Sequence, residues 1–190
     1  STTKDTVGPE VTVPADITVA AVDADGTPAT DAAIAGFLAG ASAVDAGDGV
    51  VSVSNNAPDV FPLGPTTVIF SAVDSLGNSG SSSAVVTVED QTPPVITVED
   101  ATIAATDANG TLATAADAAA FLDSATVEDN VDSDVTVTND APDVFPIGDT
   151  LVTFTATDSA NLTTTAEATL TVADLTAPVV TAPSPITVPA

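Results

Sequence analysis

The chain has 190 residues and carries 27 Asp plus Glu against 1 Lys or Arg, a formal net charge of −26 at neutral pH. So little cationic charge excludes nucleic acid and anionic membrane surfaces as primary partners. His, Cys, Met, Trp and Tyr are all absent, which removes the imidazole base, the thiol nucleophile, the disulfide and the soft metal ligand together.

A hydrophobic fraction of 44% is too high for a disordered chain, so a folded protein is expected. The opening STTKDTVGPE has neither the basic nor the apolar region of a signal peptide, and no run of 18 apolar residues follows. A mature or excised segment without membrane insertion is the expectation. From Val11, the stretch VTVPADITVAAV alternates β-branched and smaller residues and predicts strand. DADGT at Asp23 predicts a hairpin turn. Thr30–Leu38 (TDAAIAGFL) places Ile34, Phe37 and Leu38 at helical spacing behind Thr30 as the expected N-cap, which predicts a short helix. Further strands are predicted over VVSVSNN, TTVIFSAVD and SSAVVTVED, with turns at FPLG and at DSLGN from Asp74. Short strands with turns between them at this spacing are the rhythm of a β-sandwich.

The pattern then repeats. DTVGPEVTVP from Asp5 returns as DQTPPVITVE from Asp90 and as DLTAPVVTAP from Asp174, and SNNAPDVFPLG returns as TNDAPDVFPIG. All six phenylalanines fall in register: Phe37 with Phe121, Phe61 with Phe145, Phe70 with Phe154. Large side chains at matched places in a chain of small residues are the expected core anchors. Two complete units are expected, 5–89 and 90–173, each above the ~60 residues at which a lone core becomes marginal. Residues 174–190 are too few for a domain. They are expected to be the first strand of a third repeat, with the chain continuing past Ala190.

The opening DxTxPxVT, the FPxG turn, and TTVIFSAVDSLGN running into SSAVVTVED resemble the hyalin-repeat (HYR) class of immunoglobulin-like domains and the tandem Ig-like repeats of long bacterial surface proteins. The resemblance covers nearly the whole chain. Two departures stand out: no cysteine pair is present, and the second unit reads DSANL where the first reads DSLGN. The resemblance implies an all-β fold of tandem immunoglobulin-like sandwiches and an extracellular adhesion or spacer role.

Asp outnumbers Glu 22 to 5, and short carboxylates suit tight turns and oxygen cages. In an Ig-like topology the N-terminus and two of the loops share one end of the sandwich. That end gathers Asp5, Asp45, Asp48 and Asp74 in the first unit, with Asn78 offering an amide oxygen. In the second it gathers Asp90, Asp129, Asp132 and Asp158, with Glu89 from the preceding strand. Several carboxylates at a repeat junction suit a hard cation, and irregular loops suit Ca²⁺ better than the strict octahedron of Mg²⁺. Taken singly, each of these aspartates reads as a turn former. Asp23 and Asp25 are read as a hairpin turn and kept out of the site.

The residues for catalysis are missing, so no enzyme is expected. Asn109 and Asn161 head glycosylation sequons. The reading is an extracellular structural repeat of a stalk, adhesin or filament, whose partners are neighbouring repeats of the same chain and which Ca²⁺ stiffens at its joints. One alternative is a filament or surface-layer subunit that pairs with copies of itself through an unpaired strand at Pro178–Pro189. The other is a calcium-dependent module that binds glycans, disfavoured by loops as alike as NAPDVFP and NDAPDVFP.

Overall fold

β-Branched residues at alternate positions build strands because one face of a pleated chain is buried while the other meets water. In the computed structural model, which describes residues 4–184 and 186, the first repeat contains β1 (Glu10–Thr12), β2 (Ile17–Ala20), β3 (Thr27–Pro28), α1 (Ala32–Ala39), β4 (Ser42–Asp45), β5 (Gly49–Val51), β6 (Val53–Asn55), β7 (Val60–Phe61), β8 (Gly64–Val73) and β9 (Ser79–Glu89). One sheet has the order β2-β9-β8-β6, with β2 parallel to β9 and the other neighbours antiparallel. A second has the order β1-β4-β5, and β3 pairs with β7.

The second repeat contains β10 (Val95–Thr97), β11 (Ala101–Ala104), β12 (Thr111–Leu112), α2 (Ala116–Leu122), β13 (Thr126–Glu128), β14 (Thr136–Asn139), β15 (Val144–Phe145), β16 (Gly148–Thr157) and β17 (Thr163–Ala173). Its four-stranded sheet, β11-β17-β16-β14, keeps the same order and the same parallel first pair. The fold is all-β, an immunoglobulin-like sandwich with one short helix in each repeat.

The register of the repeats carries into the core. Val68, Phe70 and Ala72 alternate into the interior from β8, and Ala84, Val86 and Val88 from β9. Their counterparts Val152, Phe154, Ala156 and Ala168, Leu170, Val172 do the same from β16 and β17. Each helix adds one phenylalanine, set edge to face: Phe37 meets Phe70 at 5.7 Å between ring centroids, and Phe121 meets Phe154 at 5.8 Å. Such pairs contribute beyond the area they bury.

The helix cap corrects the expectation. Asp31, not Thr30, stands at the N-cap of α1, and its Oδ1 accepts the N–H groups of Ala33 at 2.9 Å and Ile34 at 3.4 Å. At the same place in the second repeat Ala115 has an extended backbone and no side chain to offer. The turn at Asp23 forms as predicted, and its glycine is required. Gly26 has φ +116°, and a Cβ there would overlap the Phe61 carbonyl; Gly110 repeats this with φ +117° against Phe145.

The chain divides into two compact units. One holds Ser1–Val95 together with Glu128–Thr136 and Thr157–Thr163; the other holds Ile96–Val127, Val137–Ala156 and Thr164–Ala190. Three loop segments of the second repeat therefore belong to the first unit. Residues 174–184 and 186 have no strand, and the strand expected over Pro178–Pro189 falls in part on 185 and 187–189, outside the described residues.

The capping difference is testable. Asp31→Ala is expected to cost about 1 kcal/mol, and Ala115→Asp to add about 1 kcal/mol, because its backbone already suits a cap. Urea denaturation of the two variants measures both.

Candidate metal centres

Each of the two acid-rich ends is made by three chain segments. Asp5 precedes β1, Asp45 closes β4 and Asp74 follows β8; Asp90 follows β9, Asp129 follows β13 and Asp158 follows β16. In each set one carboxylate oxygen per residue lies within 4.8 Å of the others. Ligands on one Ca²⁺, at about 2.3–2.6 Å, are at most about 5.2 Å apart, so both sets meet the geometric limit for sharing an ion. An oxygen-only donor set suits a hard cation.

One oxygen of each aspartate is committed to the backbone. Asp45 Oδ1 accepts Gly47 N–H at 2.7 Å and Asp48 N–H at 3.1 Å; Asp129 Oδ1 accepts Val131 and Asp132 N–H, both at 2.8 Å. Asp5 and Asp90 hold the N–H two residues on, at 3.0 and 3.1 Å. Asp74 Oδ1 accepts Leu76 and Asn78 N–H at 2.9 and 2.8 Å, and Asp158 Oδ1 accepts Leu162 N–H at 2.8 Å. These bonds fold the loops and aim the second oxygens.

The second oxygens differ between the sets. Asp74 Oδ2 accepts the Asn78 side-chain amide at 2.6 Å. Asp90 Oδ2, Asp129 Oδ2 and Asp158 Oδ2 are buried with no hydrogen-bond donor, and Asp158 as a residue is only 6% exposed. All three belong to the first compact unit. The buried oxygens are what a bound cation requires, so the residues fit one.

The remaining expected ligands take other places. Asp48 accepts the N–H and hydroxyl of Ser75 at 2.7 and 2.9 Å, and Asp132 accepts those of Ser159 at 3.1 and 2.9 Å, so both brace one loop against the next. Glu89 is exposed and stands outside both triads. Asn78 turns its nitrogen, not the expected oxygen, toward Asp74, and also reaches the Asp5 carbonyl at 3.4 Å. Asn130 was not anticipated: its Nδ2 donates to the carbonyls of Ala21 at 3.1 Å and Val22 at 3.3 Å, and its Oδ1 is buried without a donor. Its signal in the sequence was an amide beside Asp129 where the first repeat has Ala46.

These surroundings move two carboxyls in opposite directions. Burial pushes Asp90 up, Thr92 N–H opposes it, and the charges of Asp129, Asp158 and Asp132 push it further up. Burial also pushes Asp74 up, but the Asn78 side chain and the N–H groups of Asn78, Leu76 and Gly77 outweigh it and leave Asp74 below its ordinary 3.8.

Residues 89–174 match the family model of the HYR domain. The second repeat is a hyalin-repeat-like domain. The chain is also 32% identical over 176 residues to hyalin of Lytechinus variegatus, covering 90% of this chain and 32% of that protein. It is 33% identical over 189 residues to hyalin of Strongylocentrotus purpuratus, covering 95% of this chain and 15% of that one. The chain thus spans under a third of either relative. Among solved structures it is similar to human protocadherin-24 EC1-2, with 13% identity, TM-score 0.40, and 90% of this chain and 100% of that one covered. Drosophila N-cadherin EC1-4 gives 15% identity, TM-score 0.38, and coverage of 70% and 38%. Likeness this loose carries no functional inference. In the hyalin-repeat-like domain the departure DSANL has a structural reading: Asn161 takes the positive φ, +64°, that Gly77 takes in the first repeat at +86°, which leaves Leu162 at the place of Asn78.

The two shifts predict opposite pH effects in chelator-treated protein. A carboxyl held above its unfolded value stabilises the fold below that value and loses this as pH rises, so Asp90→Asn is expected to raise Tm at about pH 7 and to do little at about pH 3. Asp74, held below its unfolded value, stabilises the fold above about pH 4 and loses this as pH falls, so Asp74→Asn is expected to lower Tm at about pH 7, with a smaller effect in acid. Thermal melts at the two pH values test both signs.

Proposed function

We propose that this chain is a structural segment of an extracellular, adhesion-type protein, built of repeats 5–89 and 90–173 with 174–190 opening a third. Calcium held by Asp90, Asp129 and Asp158 is proposed to tie the start of the second repeat to its loops and to stiffen the joint. The observation that carries this is the trio of buried, donorless oxygens Asp90 Oδ2, Asp129 Oδ2 and Asp158 Oδ2. Like charges this close need neutralising. The chain has one basic residue, Lys4, and cannot supply a cation at both triads from its own side chains. A divalent ion from the medium neutralises the group and fills its open valences at once.

The hyalin-repeat-like domain and the two hyalins support the extracellular, adhesive part of the reading. A mechanical role also accords with the side chains themselves. A lone Lys leaves a trypsin-like protease one target, and the absence of Cys, Met, Trp and Tyr leaves little to oxidise. The partners proposed are the neighbouring repeats, and no reaction is proposed.

Calcium titration tests the reading, with Mg²⁺ at equal ionic strength as the control. Ca²⁺ at about 100-fold over its Kd is expected to add about 2.7 kcal/mol, seen as a rise in Tm of several degrees, and to lengthen the particle in small-angle X-ray scattering. Asp158→Asn is expected to abolish both responses. Equal responses to the two ions, or none, overturn the calcium joint.

A further inference from the structure

The two triads sit in equivalent loops 84 residues apart, yet two side chains make them chemically unlike. The first is at Asn78 and Leu162. Both residues donate a backbone N–H to Oδ1 of the aspartate four residues earlier, each at 2.8 Å. Only Asn78 has a side-chain donor, and it bonds Asp74 Oδ2 at 2.6 Å. Leu162 has none, and Asp158 Oδ2 stays buried and unpaired. The second difference is at Ala46 and Asn130. A methyl group stands in one loop; in the other, two backbone carbonyls hold the amide nitrogen of Asn130, which turns its Oδ1 away from them into buried space without a donor.

The end of the second repeat thus offers four buried oxygens that nothing in the protein satisfies. Among the described residues, no oxygen of Asp5, Asp45 or Asp74 is in that condition. A carboxylate oxygen already bonded to an amide N–H has to lose that charge-assisted bond before a metal can use it. Asn78 would also have to rotate to present its own oxygen. Leu162 imposes neither step.

Resting on the calcium reading above, we infer that the two triads are specialised: Asp90, Asp129 and Asp158, joined by Asn130 Oδ1, take one divalent cation tightly, while the first triad is latched by Asn78 and fills only at much higher concentration. The residue four places after the loop aspartate acts as the selector. Asn closes the triad with an internal donor; Leu leaves it open to an ion. Tight calcium binding then follows one ion per two repeats in this chain, although the acids recur in both.

Isothermal titration of the calcium-depleted full chain with CaCl₂, with circular dichroism to confirm folding, tests this directly. Wild type is expected to bind one ion tightly. Leu162→Asn is expected to weaken that ion about tenfold or more, the factor that a hydrogen bond to a charged oxygen is worth when it competes for the same atom. Asn78→Leu is expected to raise the tight count from one to two. Each substitution installs the residue that the matching loop already carries. Asn130→Ala is expected to weaken the single tight ion; unchanged affinity removes Asn130 from the ligand set and overturns that part. Two equivalent ions on wild type, with neither Leu162→Asn nor Asn78→Leu altering the count or affinity, overturn the specialisation and leave the calcium reading standing. Absence of calcium heat and of calcium stabilisation in wild type overturns the calcium reading itself, and the specialisation with it.

Discussion

Backbone N–H groups bonded to aspartate oxygens hold the connections of this protein. Asp23 and Asp107 each fold a hairpin turn by accepting the N–H two residues on, at 2.9 and 2.7 Å. Asp31 starts a helix in the same way. Asp16 and Asp100 reach across to Val85 and Thr169, at 2.8 and 2.7 Å, and so pin the approach to β2 and β11 onto the strands beside them. The short carboxylate is the tool these loops use most often, with Asn55, Asn56 and Asn139 accepting backbone N–H groups in the same way.

That same bond removes the apparent conflict between turn formation and metal binding. A carboxylate has two oxygens, and in both triads Oδ1 serves the turn. The geometry of the turn then decides where Oδ2 points. Loops folded around aspartates will collect charge wherever the topology brings three of them to one end, and the fold has to satisfy what it has collected. One triad does so in part with an amide from its own loop. In the other, all three Oδ2 atoms stay buried without a donor.

The core sets the frame on which this happens. Small aliphatic residues fill most interior positions, so the pairs Phe37 with Phe70 and Phe121 with Phe154 fix the spacing between helix and sheet, and the two repeats reproduce the centroid distance within 0.1 Å. A core this alike tolerates loops that differ. The exchanges Asp31 to Ala115, Ala46 to Asn130 and Asn78 to Leu162 all lie at ends or caps, where a change of hydrogen bonding costs little packing.

The sequence by itself determined the all-β fold, the repeat, the place of the short helix and the phenylalanine anchors, because period-two alternation and an internal register are local or self-referring signals. The structure brings Asp5, Asp45 and Asp74 together at one place and Asp90, Asp129 and Asp158 at another. What the sequence could not show was the direction of each polar group. Thr30 and Asp31 both suit an N-cap, and the backbone angles chose Asp31. Asp48, Asp132 and Asp158 read alike along the chain, yet two brace serines and one is buried. Asn130 took its role from carbonyls more than a hundred residues away, a contact to which no local pattern points. Which carboxylate oxygen is satisfied and which is left open depends on the close approach of three separated segments, and only the tertiary structure decides it.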